Sequence, residues 1–426
     1  MSQQGWIDVT YGLGHDAASG TVTGRMTREA AAALDAAGEP YTVVLREGDR
    51  AEAIVVHVAW AAHHLGMWLY DRRRRRFMEV DLRRITDDRL FLLHQRMWHY
   101  TDDDMAEGSP EAGRVTIDLM PGGRGRKVVE PKGERGGSTH TVADVPEHQR
   151  WLPVPEFGDY RGLLGLLGFG EEATAAEFRD VPVDGNEAAT TADLDAAPDW
   201  RPPAPLRPRH LDALFTPGTR FSGPSHAREE TYLVRRPVPA GTLHLPTGRL
   251  VARDPSYGEC EQDAGFTVPV PPGSYPVQIA AAGYVTEHWG KTLDIDEYTA
   301  ARVVISERPT VEWESALLPD QDVRLLQDGH FYGFGVDGGT GAFVDASAAE
   351  ALAKQYWTRL TSGTAAEDDH GITELTDPSR GPANLIAYPS GMGDGSYPVW
   401  IGRDAGGEVT CFVADMLILH GSEMSA

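Results

Sequence analysis

The sequence predicts an α+β protein that is mainly β: two β-rich domains of mostly antiparallel strands with few helices, joined by a Pro/Ala-rich linker. Three observations carry this reading. Forty-seven glycines and 29 prolines cut the chain into short β-branched and aromatic segments, the punctuation of turns between strands. A length of 426 residues exceeds what one hydrophobic core ordinarily supports. Residues 187–208 are rich in Ala, Asp, Thr, Pro and Arg and poor in large apolar side chains, so burial cannot offset their ordering entropy. The domains therefore read as residues 1–165, a partly disordered linker over 166–225, and residues 226–426.

In the first domain Thr27 is placed to cap an Ala-rich helix that stops at Gly38, the residue best suited to a left-handed C-terminal position. Tyr41–Leu45 is β-branched and apolar, and Glu47-Gly48-Asp49 reads as a turn. Ala53–Trp60 is apolar almost throughout, as in a strand buried on both faces. Strands follow at Met67–Tyr70, Phe77–Ile85, Leu90–Tyr100 and Val115–Leu119, the last ended by Pro121-Gly122-Gly123. Glu171–Phe178 reads as a short helix, and Pro202, Pro203, Pro205 and Pro208 keep the linker extended.

The second domain alternates short strands with Pro/Gly turns: Thr231–Arg235, Gly241–Leu245, Arg249–Ala252, Phe266–Val270, Tyr275–Ala280, Ala301–Ile305 and Val311–Trp313. A helix is expected from Ser347 to about Leu360. Strands Leu385–Tyr388 and Tyr397–Gly402 lead to a hairpin turn at Asp404–Gly407 and a closing strand, Val409–Leu419.

Composition narrows the setting. Thirty-nine Lys and Arg stand against 64 Asp and Glu, a formal charge of −25. Such a field repels nucleic acid and anionic membrane, keeps the chain soluble and suits a basic protein partner. Cys260 and Cys411 are too few for a disulfide framework, which favours a reducing, cytoplasmic location. The first residues lack a basic start and an apolar core, so no signal peptide is expected, and no apolar run approaches the ~20 residues of a membrane helix. The Ala, Arg, Gly, Asp and Pro bias suggests a GC-rich genome such as an actinobacterium's.

Four blocks of the second domain carry a resemblance. They are Leu245–Pro255, with Pro246, Thr247, Gly248, Asp254 and Pro255; Val270–Val277; Gly335–Asp345; and Ser390–Pro398, with Gly391, Gly393, Gly395 and Tyr397. Gly402-Arg403-Asp404 and Ala414-Asp415 follow. In this order they resemble the bacterial domain-of-unknown-function family 4241, which implies neither a reaction nor a ligand. The first domain resembles no family.

Candidate sites are each set against a plainer reading. Asp337, Asp345 and Asp394 lie in Gly-rich turns, where oxygen ligands could gather Mg²⁺ or Ca²⁺. The plainer reading has them accept backbone N–H bonds in their turns, and no cofactor is expected. Asp254-Pro255 and Asp404 read as turn formers. His57, His63, His64, His94 and His99 lack the spacing of a zinc site, and His330 and His370 flank an acidic loop. Arg72, Arg73, Arg74, Arg75 and Arg76 form the chain's basic cluster, a candidate anion or partner patch that reads more plainly as a hairpin tip. Phosphate-loop and nucleophile-elbow motifs are absent. Three functions stay open: a non-catalytic protein-binding factor of the immunity or defence-associated type, which is preferred; a metal-assisted hydrolase using the C-terminal aspartates; and a structural or assembly subunit.

Overall fold

A computed structural model describes residues 6–48, 50–134, 136–169, 176–183, 200–225, 228–229, 231–258, 260–364, 367–379 and 381–425. Strand takes up 44% of the chain and helix 12%, mostly in antiparallel sheets, so it is β-rich α+β. The chain forms two compact units, residues 1–204 with 324–328, and residues 205–323 with 329–426.

Unit 1 is built on one sheet. Its strands are β1 (Trp6–Gly12), β4 (Tyr41–Arg46), β5 (Ala53–Ala59), β6 (His64–Tyr70), β7 (Arg76–Arg83), β8 (Arg89–His99), β9 (Gly113–Leu119), β10 (Gly125–Glu134), β11 (Ser138–Val142), β12 (Trp151–Pro153) and β13 (Glu177–Asp180), with a small hairpin of β2 (Gly14–Asp16) and β3 (Thr21–Thr23) beside it. From β4 to β11 each strand pairs with the next in sequence, an antiparallel meander, and β12 adds to β8. At the other end β1 pairs antiparallel with β4 and parallel with β13. The β11 edge is short, polar and exposed throughout, which discourages further pairing. Helix α1 (Arg28–Ala37) begins at Thr27, whose Oγ1 accepts the Ala30 N–H, and ends at Gly38 with φ 77°. It packs Ala31 and Leu34 with Val43, Leu45, Val56 and Val58 in the core.

Three expectations need correction here. Glu177 and Phe178 are strand rather than helix, because β13 pairs along β1, and Ala176 is a bend; residues 171–175 of that proposed helix, most of the 187–208 stretch and Asp49 lie outside the described residues. A strand therefore stands inside the segment read as linker. The strands β1, β10 and β11 were not legible in the apolar pattern.

Unit 2 has two principal sheets. The larger contains β14 (Arg220–Ser222), β17 (Tyr232–Val234), β18 (Val238–Leu245), β20 (Gly273–His288), β21 (Lys291–Val304), β22 (Glu312–Ser315), β23 (Gly333–Val336), β27 (Gly395–Arg403), β28 (Val409–Asp415) and β29 (Glu423–Ser425). The smaller has β19 (Leu250–Arg253), β24 (Thr340–Asp345), β25 (Thr373–Thr376) and β26 (Asn384–Pro389), in the order β19-β24-β26-β25. Alternation along these strands sorts the side chains into two layers. Leu250, Ala252, Phe343, Ile386 and Tyr388 join the core with the larger sheet. Val251, Ala342, Val344, Leu385 and Ala387 face helix α5 (Ala349–Thr361), which supplies Ala349, Leu352 and Tyr356 at helical spacing. Unit 1 also has the short helices α2 (Glu147–Arg150) and α3 (Arg161–Leu166), and unit 2 has α4 (Leu211–Leu214) and a two-stranded ribbon of β15 (Pro224–Ser225) and β16 (Arg228–Glu229). Burial on both faces explains why β19 and β26 read as short apolar runs, whereas β24 and β25 were not expected from the sequence.

Phe266–Val270 is not a strand: its bonds run to different partners, Phe266 N to Leu250 O, Thr267 N and Oγ1 to Leu317 O and Val270 N to Gly248 O, and Pro269 offers no N–H. The closing strand ends at Asp415, not Leu419. Strands β20 and β21 run far beyond the expected Ala280 and Ala301.

Candidate functional site

Three glycine-rich corners of unit 2 meet at one end of the smaller sheet. The first follows β19, the second joins β23 to β24, and the third precedes β27. Asp254 stitches the first to the second: its Oδ1 accepts the Ser256 N–H at 2.6 Å, and its Oδ2 accepts those of Asp337 at 2.9 Å and Gly338 at 3.2 Å. The Ser390 N–H donates to Gly339 O, bringing in the third corner. Within that corner, Ser390 Oγ and Tyr397 OH both donate to Gly393 O, at 2.9 and 2.7 Å. Gly391 has φ 66°, and a Cβ there would lie 2.8 Å from Tyr298 O, so only glycine fits.

The corners open on a cleft of about 420 Å³ lined in part by Arg253, Asp254, Tyr257, Cys260 and Asp337. Arg253 is 1% exposed. Its guanidinium is held by the Asp263 carboxylate and the carbonyls of Asp254, Tyr257 and Gly258, which uses its donors on the protein itself. Tyr257 OH donates to Asp337 Oδ2 at 2.5 Å, and that bond is the main reason its phenol is pushed up to about 12. Burial raises the Cys260 thiol. A phenol and a thiol held in their neutral forms are poor bases and poor nucleophiles at neutral pH.

The three aspartates read as cation ligands do not converge. Val336 pairs with Gly395, so Asp337 and Asp394 are neighbours just beyond that pair. Asp345 ends β24, eight residues after Asp337. Its buried carboxylate accepts bonds from Thr247 N and Oγ1 and from Ser347 N and Oγ. Among the described residues, no three His, Cys, Asp or Glu side chains are placed to hold a metal ion.

The other motif residues also shape backbone. Gly248 has φ 71°, and a Cβ there would strike Val270 O at 1.9 Å. Asp404 accepts the N–H groups of Gly406 and Glu408 in its hairpin turn. Pro246 and Pro255 flank β19 in sequence.

Residues 243–414 match the family model described as Protein of unknown function (DUF4241). The matched span begins on β18, ends on β28 and contains the smaller sheet, α5 and all three corners. No family model matches the N-terminal region. No curated protein and no solved structure matches the chain.

In unit 1 the arginine run sits in the turn before β7, where acidic groups surround it. Asp103 pairs with Arg72 and Arg73, Asp71 with Arg75, and Glu79 and Glu107 with Arg76. Arg74 donates to Ala18 O. Arg76 also lies over the Trp68 ring and Arg75 over Tyr100. The cluster is thus largely neutralised in place.

The histidines separate. His57 is stacked on Trp200 at 4.5 Å, meets the edge of Trp68, and shares a 3.1 Å bond with Thr42 Oγ1. His64 Nε2 lies 3.4 Å from Asp81, which also holds the buried Arg83. Burial drives both imidazoles down, His57 well below its ordinary value and His64 to about 4. His94 pairs with Asp118 at 2.7 Å, and His99 is exposed. His370 approaches Tyr298, whereas His330 offers its carbonyl to Leu206 N. The sequence offered no signal for Arg253 and Tyr257, whose roles depend on contacts that the turn geometry creates.

Proposed function

We propose that the protein is a non-catalytic protein-binding factor of a bacterial cytoplasm, of the immunity or defence-associated type, whose partner is basic. The observation that carries this reading is how the family-matched corners use their functional groups. Asp254 and Asp345 accept backbone and hydroxyl protons of their own turns, and Arg253 is consumed by Asp263 and three carbonyls. Groups committed in this way hold the corners together and build a surface instead of activating a substrate. A formal charge of −25 supplies long-range attraction for a basic protein and repels nucleic acid. Two free thiols, Cys260 and Cys411, suit a reducing compartment.

The test is salt-resolved affinity purification of the intact chain from its own cells. A basic protein is expected to accompany it at about 50 mM salt and to be lost near about 500 mM, where the Debye length has shrunk to a few ångströms. A chain that elutes alone at the lower salt sinks the reading.

A further inference from the structure

Beyond the Leu233–Gly283 pair, β20 and β21 leave the sheet together. Residues Tyr284–His288 and Lys291–Ile295 pair with each other, and among the described residues no other strand pairs with them. The result is a two-stranded arm whose outer part, Val285–His288 and Lys291–Asp294, pairs with no further strand among the described residues. A ribbon of two strands has little stability of its own, so its length calls for an explanation outside the fold.

The tip sharpens this. His288 pairs with Lys291 across Trp289 and Gly290, which have φ 49° and 71°. Two left-handed residues in a two-residue loop make a type I′ turn, whose first position ordinarily holds Asn, Asp or Gly. A bulky side chain there is strained. Yet Trp289 occupies it while 93% exposed, with only the His288 ring stacked on it at 4.8 Å. A strained backbone and a bare indole together mark a functional position rather than a folding one.

The two faces of the arm differ. One carries Ile295 and Leu293 in line toward the tip; the other carries Val285 with Glu287, Asp294 and Asp296. Arg235 pairs with Asp294 and Asp296 near the base.

Resting on the protein-binding reading above, we infer that this arm is the docking element, and that Trp289 enters an apolar socket on a basic protein. Charge selects the occupant. A second copy of this chain carries the same charge of −25, as nucleic acid and anionic bilayers carry theirs, and each is repelled. A basic protein meets the acidic face favourably, takes the indole as a hot spot, and can add a strand along the outer part of the arm.

The experiment places the photoreactive residue p-benzoylphenylalanine at position 289 of the full chain, in its own host, with the same residue at exposed Val311 as control. The crosslinked species is identified, purified and titrated against wild type and Trp289→Asn. A basic protein captured at 289 and not at 311, and bound at least tenfold more weakly by Trp289→Asn, is the expected result. Asn suits the turn, so its melting temperature should equal or exceed that of wild type; a lower one would assign Trp289 to folding and overturn the inference. Capture of a second copy, an acidic protein or lipid also overturns it. A salt-sensitive partner that binds Trp289→Asn at full strength defeats the arm alone, whereas a wild-type chain without any protein partner defeats the underlying reading with it.

Discussion

At Asp345 a fully buried carboxylate accepts bonds from two backbone N–H groups and two hydroxyls. Replacing it by alanine leaves those donors unpaired in the interior. Asp345→Ala should therefore cost about 3 kcal/mol in urea unfolding, well above an exposed substitution; a loss within ~0.5 kcal/mol would contradict the described contacts. Asp415 offers a test with the opposite sign. Burial raises its carboxyl to about 6 from an ordinary 3.8. The folded state thus holds a proton that the unfolded chain has released, and stability falls as pH rises from about 4 through 6. About two pH units correspond to ~3 kcal/mol. Asp415→Asn, which cannot ionise, should stabilise the protein by up to that amount at pH 8 and leave it unchanged near pH 4, as thermal melts at the two pH values would record. An equal gain at both would show that charge is not the cause. At this scale the sequence was informative where local chemistry decides. The Asp254-Pro255 dipeptide announces a turn, and Asp254 makes it by accepting the Ser256, Asp337 and Gly338 N–H groups. That Arg253 is buried against Asp263 could not be read, because the pairing depends on the path of the segment between them.

Helices and several central strands were legible for a related reason. Helix α1 has its cap, its Ala-rich body and its terminal glycine within a dozen residues, and each acts locally. Thr27→Ala removes the bond from Ala30 N–H and should cost about 1 kcal/mol of stability in denaturant titration; no change would mean that the helix start is held by packing alone. In the smaller sheet of unit 2 only β19 and β26 were legible, as short apolar runs; β24, which opens Thr-Gly, and β25, which alternates buried and exposed residues, were not. Peripheral strands were not legible either. The exposed, polar β11 carries no apolar pattern, β10 beside it departs little from loop composition, and β13 depends on a partner 171 residues earlier, as the Trp6–Glu177 pairing shows. The arm of β20 and β21 was missed because its alternation reflects two different exposed faces instead of a core and a surface. Conversely, Phe266–Val270 looked like a strand because apolar content was taken for pairing.

For the molecule as a whole, titration in unit 1 sets an acid limit. His64 sits at about 4 because burial outweighs the attraction of Asp81, with Arg83 opposing protonation as well; His57 faces His64, His15 and Arg76, all unfavourable to a second charge. A base whose folded value lies below its unfolded 6.5 lets the unfolded chain take protons first. Stability is therefore full above pH 6.5 and drains away as pH falls toward 4, by ~3 kcal/mol for His64 alone. His64→Asn should flatten that decline in a series of melts from pH 7 to 4.5; an unchanged slope would move the cause elsewhere. The order of strands in unit 1 has a temporal meaning too. Every strand from β4 to β11 finds its neighbour as soon as the next is made, but the outer side of Trp6–Val9 in β1 is paired by β13, while Tyr11 is bridged to nearby Met26. While the ribosome works through the intervening stretch, Trp6–Val9 presents an unmatched row of amides and carbonyls to its surroundings. The vulnerable interval of this sheet thus spans the making of β4 to β12, and ends only when Glu177–Asp180 has emerged and folded back onto Trp6–Val9.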